Sequence, residues 1–130
     1  MSDSGPTLPH VRFTERTLPN GLRVIVAPDR LAPVVAINLW YDVGSKHEVK
    51  GKTGFAHLFE HFMFQGSRHV AKAEHMALIQ GAGGINNATT FFDRTNYFET
   101  LPSHQLELGL WLEADRMANL QLVEATAKPE

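Results

Sequence analysis

The stretch Gly54-Phe55-Ala56-His57-Leu58-Phe59-Glu60-His61-Phe62-Met63-Phe64-Gln65-Gly66-Ser67 sets a helical period between segments that read as strands. Phe55, Leu58, Phe59, Phe62 and Met63 recur at intervals of three and four, so a helix is expected over residues 54–64. Gly66 is placed to cap its C-terminal end. Successive helical residues turn by about 100°, so positions i, i+3 and i+4 share a face. His57, Glu60 and His61 therefore project together. Two imidazoles one turn apart can hold a single zinc ion, and a carboxylate between them can activate water. Random placement of 7 His and 9 Glu in 130 residues gives about 0.025 such pentapeptides. The pentapeptide alone also suits two ordinary His on an amphipathic helix.

Upstream, residues 11–17 roughly alternate apolar and polar side chains. Leu18-Pro19-Asn20-Gly21-Leu22 follows, and Asn-Gly is a tight-turn signal because both residues tolerate positive φ. Arg23 to Ala27 is β-branched, which makes a hairpin. Residues 34–43 form the most apolar strand candidate, and a run that long without clean alternation predicts a central strand buried on both faces. Residues 44–53 read as a loop. Downstream, residues 71–80 form a second helix, ended by Gly81-Ala82-Gly83-Gly84. Strands over 85–92 and 96–101 flank a turn at Asp93-Arg94. A third helix starts at Pro102-Ser103, with Ser103 as N-cap and Glu107 near its first turn. Its apolar stripe is Leu106, Leu110, Met117 and Leu120, with Trp111 and Ala114 alongside. The order strand, strand, strand, helix, helix, strand, strand, helix predicts an α+β domain, with helices packed on a mainly antiparallel sheet.

Composition removes several classes of function. At 130 residues, the chain holds one ordinary domain, with residues 1–10 as a loose tail and 11–130 as the folded part. It is 43% hydrophobic and 20% charged, which excludes a disordered chain. The formal net charge of -2 argues against a nucleic-acid partner. No apolar run is long enough to span a bilayer, so no membrane partner is expected. Without cysteine, a metal must sit on His and carboxylate. The start lacks the pattern of a signal peptide, so the compartment is cytoplasmic or, if a signal was removed, periplasmic. His47, His69, His75 and His104 read as surface or capping residues, and His10 lies in the tail. Trp40, Trp111 and the Phe residues read as core. Glu113, Asp115 and Arg116 read as solvated helix charges or local ion pairs.

His-x-x-Glu-His reverses the usual zincin order and is the inverzincin signature. Around it stand Tyr41-Asp42-Val43-Gly44-Ser45, Gly83-Gly84-Ile85-Asn86-Asn87-Ala88-Thr89, Asp93-Arg94-Thr95-Asn96-Tyr97 and Trp111-Leu112-Glu113-Ala114-Asp115-Arg116-Met117. With Leu18-Pro19-Asn20-Gly21-Leu22-Arg23-Val24, these blocks closely resemble the pitrilysin/insulysin-like zinc metallopeptidases, which include the mitochondrial processing peptidases. The resemblance runs from about Phe13 to Leu120.

The resemblance implies that His57 and His61 are zinc ligands and that Glu60 is the general base. It implies that Asn87 and Ala88 lie on an edge strand that holds substrate backbone by strand addition. It places the third zinc ligand on a Glu of a later helix, just past residue 130. Glu124 and Glu130 are near but do not match that position. Family members have two related halves, in cis or in trans, that enclose a peptide or small unfolded protein. The chain is then expected to be the N-terminal catalytic segment of a longer zinc endopeptidase, inactive alone. Apolar surface left uncovered would drive self-association. The main rival is a non-catalytic structural or partner subunit of the same family. A metal-free binding module with an accidental motif is the third reading.

Overall fold

The computed structural model describes residues 10–51 and 53–122, so all of the expected tail at residues 1–10 except His10 lies outside the described residues. The chain divides into two compact units, residues 1–32 and 33–130.

The first unit is the expected hairpin. Strand β1 (Thr14–Thr17) pairs antiparallel with β2 (Arg23–Val26), in register from Thr14 opposite Val26 to Thr17 opposite Arg23. Its turn closes through the Gly21 N–H donating to the Leu18 carbonyl at 2.9 Å. The Asn20 side chain adds an acceptor for the Leu22 N–H at 3.1 Å, the local bond that suits Asn to such a turn.

The second unit is α+β. Strands β3 (Val34–Tyr41), β4 (Ile85–Thr90) and β5 (Thr95–Pro102) form an antiparallel sheet in the order β3-β5-β4. Helices α1 (Phe55–Phe62), α2 (Glu74–Gly81) and α3 (Leu106–Asn119) complete the unit. Val35, Ile37 and Leu39 of β3 stand opposite Leu101, Glu99 and Tyr97 of β5, and Ala88 of β4 completes the last row. That is the face the helices cover. Val70, Ile79, Leu101 and Leu112 make its apolar centre.

The sheet corrects one expectation. β3 does not lie at the centre and is not buried on both faces. Among the described residues it pairs with β5 alone, and its burial alternates residue by residue. Trp40 points to the uncovered face and is 63% exposed. The expected all-round burial followed from composition, whereas period-two geometry puts Val34, Ala36, Asn38 and Trp40 on the side without helices.

Helix α3 brings a second correction. It turns Gly109, Leu112, Glu113 and Arg116 inward, at spacings of three and four, and leaves the expected stripe of Leu106, Leu110 and Met117 exposed. Trp111 is exposed as well, as are Phe55, Phe59, Phe91 and Phe92, so these aromatics are not core. The reason is steric. A Cβ on Gly109 would stand 2.6 Å from Oε1 of Glu99 and 2.7 Å from Ile37, so only the glycine face can approach the sheet this closely. Ser103 is not the side-chain cap of α3 either; a short 3-10 turn over Ser103–Gln105 precedes the helix, and no side chain caps it. α2 begins at Glu74 rather than Ala71 because Ala73 takes a φ of 63°, outside the helical region.

Asp115, on the inward side of α3, pins the loop that follows α1. Ser67 Oγ donates to it at 2.5 Å, His69 Nδ1 lies 2.6 Å away and Asn119 donates at 2.8 Å. Burial alone would raise the Asp115 carboxyl, but the bonds from His69, Ser67 and Asn119 pull it down to about 2. A depressed carboxyl stabilises the fold above its unfolded value of 3.8, and that contribution is lost as pH falls toward about 2. Asp115→Asn is expected to lower the melting temperature at pH 5 and above. Its gap from the parent should narrow steadily from pH 4 to pH 2; a gap independent of pH would contradict the assignment.

Candidate metal centre

α1 carries the three residues singled out from the sequence. Its N-terminus has no local side-chain cap. Glu48, from the preceding loop, does that work: Oε1 accepts the Ala56 N–H and Oε2 the Gly54 N–H, each at 2.8 Å. These bonds, Ala56 first, hold the Glu48 carboxyl below its usual range. A negative charge there also suits the positive end of the helix dipole. The loop itself is tied to the β4–β5 turn: the Ser45 and Lys46 N–H groups donate to the Phe91 and Phe92 carbonyls at 3.0 and 2.8 Å. Gly44 passes so close to those carbonyls that no Cβ fits.

One turn apart on α1, Nε2 of His57 and Nε2 of His61 lie 3.1 Å from each other, with ring centroids 4.7 Å apart. Two nitrogens on a tetrahedral zinc, each roughly 2.0–2.1 Å from the ion, stand about 3.4 Å apart. The pair therefore fits a shared zinc ion in spacing and donor type, and both side chains are accessible. Among the described residues no third His or carboxylate joins them. Glu60 is half-buried, and Thr90 Oγ1 donates a hydrogen bond to its Oε2. A groove of about 540 Å3 runs over this face, lined by His57, Glu60, Ala88, Thr90, Phe91 and Phe92 among others.

β4 borders the groove. It is an edge strand of its sheet among the described residues, paired only with β5. Asn87 is exposed and its Oδ1 accepts the N–H of Ala88 at 2.8 Å, while Ala88 is buried opposite Tyr97. The structure thus brings His57, Glu60 and Ala88 to one groove and sets Asn87 on the outward side of the same strand.

Sequence reasoning missed Glu48 and Thr90. Nothing local marks Glu48, whose partners lie six and eight residues on. Thr90 was legible in part, since period two places it on the face of Ala88.

The described residues bring one other His/carboxylate group within metal-ligating distance: His75, Glu99 and Glu113. His75 Nε2 is 3.3 Å from Glu99 and 3.8 Å from Glu113, and all three side chains are buried. The expectation of a surface or capping role fails for His75, which is buried; Glu113 and Arg116 are buried rather than solvated, but they form the local ion pair that is the other expectation. Arg116 pairs with Glu113 and stacks 4.3 Å from the Tyr97 ring and 5.2 Å from Phe64. The Arg116 guanidinium pairs with Glu113, and His75 faces both carboxylates, so the group forms an internal polar network. Tyr97 is raised above its ordinary value by burial, which Arg116 partly offsets. His47 does cap, as expected, its Nδ1 accepting the Gly44 N–H at 3.1 Å.

Comparison with known proteins gives the family and the fold. Residues 23–130 match the family described as Insulinase (Peptidase family M16). The chain is 36% identical to the zinc protease PqqE of Helicobacter pylori over 88% of its own length and 26% of that protein's. It is 32% identical to the beta subunit of the mitochondrial-processing peptidase of Bos taurus, over 95% of this chain and 24% of that one. Among solved structures, a protease from Helicobacter pylori superposes with a TM-score of 0.87 at 35% identity, covering 90% of this chain and 28% of that chain. Pitrilysin superposes with a TM-score of 0.83 at 25% identity, over 97% and 13%. The chain spans about a quarter of the length of the curated relatives named here. With the His57–Glu60–His61 face on a pitrilysin-like α+β scaffold and a match over residues 23–130, the chain belongs to the insulinase family of peptidases, family M16.

Proposed function

We propose that the chain is the N-terminal, metal-bearing segment of a zinc-dependent endopeptidase. The observation that carries the reading is the 3.1 Å approach of the two imidazole nitrogens beside the half-buried Glu60 carboxylate. His57 and His61 would hold the ion, with a later Glu as the expected third ligand. Bound zinc supplies Lewis acidity toward the scissile carbonyl and the attacking water. Glu60 takes the proton of that water and passes it to the leaving amine, which needs a carboxylate within hydrogen-bond reach of both. The open edge of β4 at Asn87 and Ala88 aligns the peptide backbone across the groove by adding it as a further strand.

The substrate class is a peptide or small unfolded protein. A second half, in cis or as a partner subunit, closes over it. A relative that is the beta subunit of a mitochondrial-processing peptidase supports this. The segment alone is expected to hydrolyse peptides weakly or not at all, since its described residues bring two ligands together where a catalytic zinc needs three. The intact His57, Glu60 and His61 favour an enzyme over a non-catalytic subunit of the same family.

Elemental analysis of the whole protein should find one zinc per metal-bearing half. Chelation should abolish peptide hydrolysis, and zinc should restore it. His57→Ala should lose both metal and activity. Hydrolysis that survives chelation, or a metal-free protein, would reject the reading.

A further inference from the structure

Glu60 leans on a side chain that belongs to a different element. Thr90, the last residue of β4, donates its hydroxyl hydrogen to Oε2 of Glu60. Oε1 has no protein hydrogen-bond donor among the described residues. We infer that Thr90 is a positioning residue: it fixes one oxygen of the Glu60 carboxylate and leaves the other for the water to be deprotonated. This rests on the proposed role of Glu60 as general base.

Three features make Thr90 suited to that task. It is β-branched, so its χ1 is stiff and its hydroxyl points in a defined direction. Its backbone is held in the β4–β5 ladder opposite Thr95, whose own hydroxyl donates to the Val43 carbonyl at 2.8 Å. The turn just beyond it is closed by the Phe91 N–H bonding to the Arg94 carbonyl at 2.8 Å and by the bonds from Ser45 and Lys46. Arg94 stacks between Trp40 and Phe91, 4.7 and 4.5 Å from the ring centroids, and donates to Thr89 at 2.8 Å. The donor thus sits on a strand end braced from several directions. Glu60 is otherwise a Glu on a short helix, with rotatable bonds that a flexible side chain must fix before it can abstract a proton efficiently.

The test compares Thr90→Val, Thr90→Ser and the parent in the whole zinc-loaded protein. Val keeps the shape and β-branch and removes the hydroxyl. Kcat for Thr90→Val is expected to fall about 10- to 100-fold, the scale of a reacting group misplaced by about 1 Å. KM, zinc content and melting temperature should stay near those of the parent. Thr90→Ser should recover most of the rate. A crystal structure of Thr90→Val should show the Glu60 carboxylate turned to another rotamer. An unchanged kcat with unchanged zinc, or a Glu60 carboxylate in the same place without the hydroxyl, would overturn the inference. If the parent hydrolyses no peptide, the general-base reading fails instead, and the Glu60 rotamer still decides whether Thr90 positions the carboxylate.

Discussion

Glu60→Gln in the whole protein is expected to lower kcat about 100- to 10,000-fold, the usual contribution of a positioned general base. The zinc content should not change. Gln is nearly isosteric with Glu and keeps an oxygen that can accept from Thr90, so position and packing survive while basicity is lost. The zinc would remain because its nitrogen donors, 3.1 Å apart, are untouched. KM should change little, since Glu60 contributes to the transition state more than to ground-state binding. The variant therefore separates two roles that share one helical face: holding the ion and moving the proton. Activity within about tenfold of the parent would show that another group takes the proton. Loss of zinc in Glu60→Gln would instead make Glu60 a ligand or a support of the ligands.

That face was readable from sequence because it rests on helix periodicity alone. His57, Glu60 and His61 share a side of any regular helix, and the structure places the two imidazoles within reach of one ion. The hairpin was readable for a similar reason, since Asn20-Gly21 encodes its own turn. What failed depends on distant partners. The apolar residues of α3 mark a stripe at Leu106, Leu110 and Met117, yet the chain buries an adjacent side instead. On that buried side, about a quarter turn from the stripe, Gly109 allows close approach and Glu113 and Arg116 neutralise each other, so a charged face becomes internal. Local hydrophobicity carries no record of that pairing. Glu48 escaped notice likewise, because capping a helix from outside it requires the loop to fold back. β3 misleads through composition: it is apolar on both sides, whereas among the described residues the helices cover one.

The internal network yields the largest expected effect on stability. Arg116→Met removes the guanidinium from beside Glu113 while filling much of the same space. Glu99 and Glu113 are 2% and 3% exposed, so their carboxylates would then face only His75. Breaking a buried pair from one side costs about 3–5 kcal/mol, because the remaining charge is neither solvated nor matched. The stacking on Tyr97 and Phe64 is lost as well. A domain of ordinary stability has about 5–15 kcal/mol in total, so Arg116→Met should bring the unfolding midpoint in urea close to native conditions. Removing the opposing charge should recover part of this. Arg116→Met with Glu113→Gln is expected to be more stable than Arg116→Met alone, the non-additivity that residues in one network show. If Arg116→Met unfolds within about 1 kcal/mol of the parent, solvent already reaches the carboxylates and the network is not buried in the working protein. If instead added zinc, with the His57–His61 pair removed, restores the stability of Arg116→Met, the three carboxylate and imidazole side chains hold a metal once the guanidinium is gone. The second result would make Arg116 the group that keeps a metal out of the core and leaves His57 and His61 as the ligands in use.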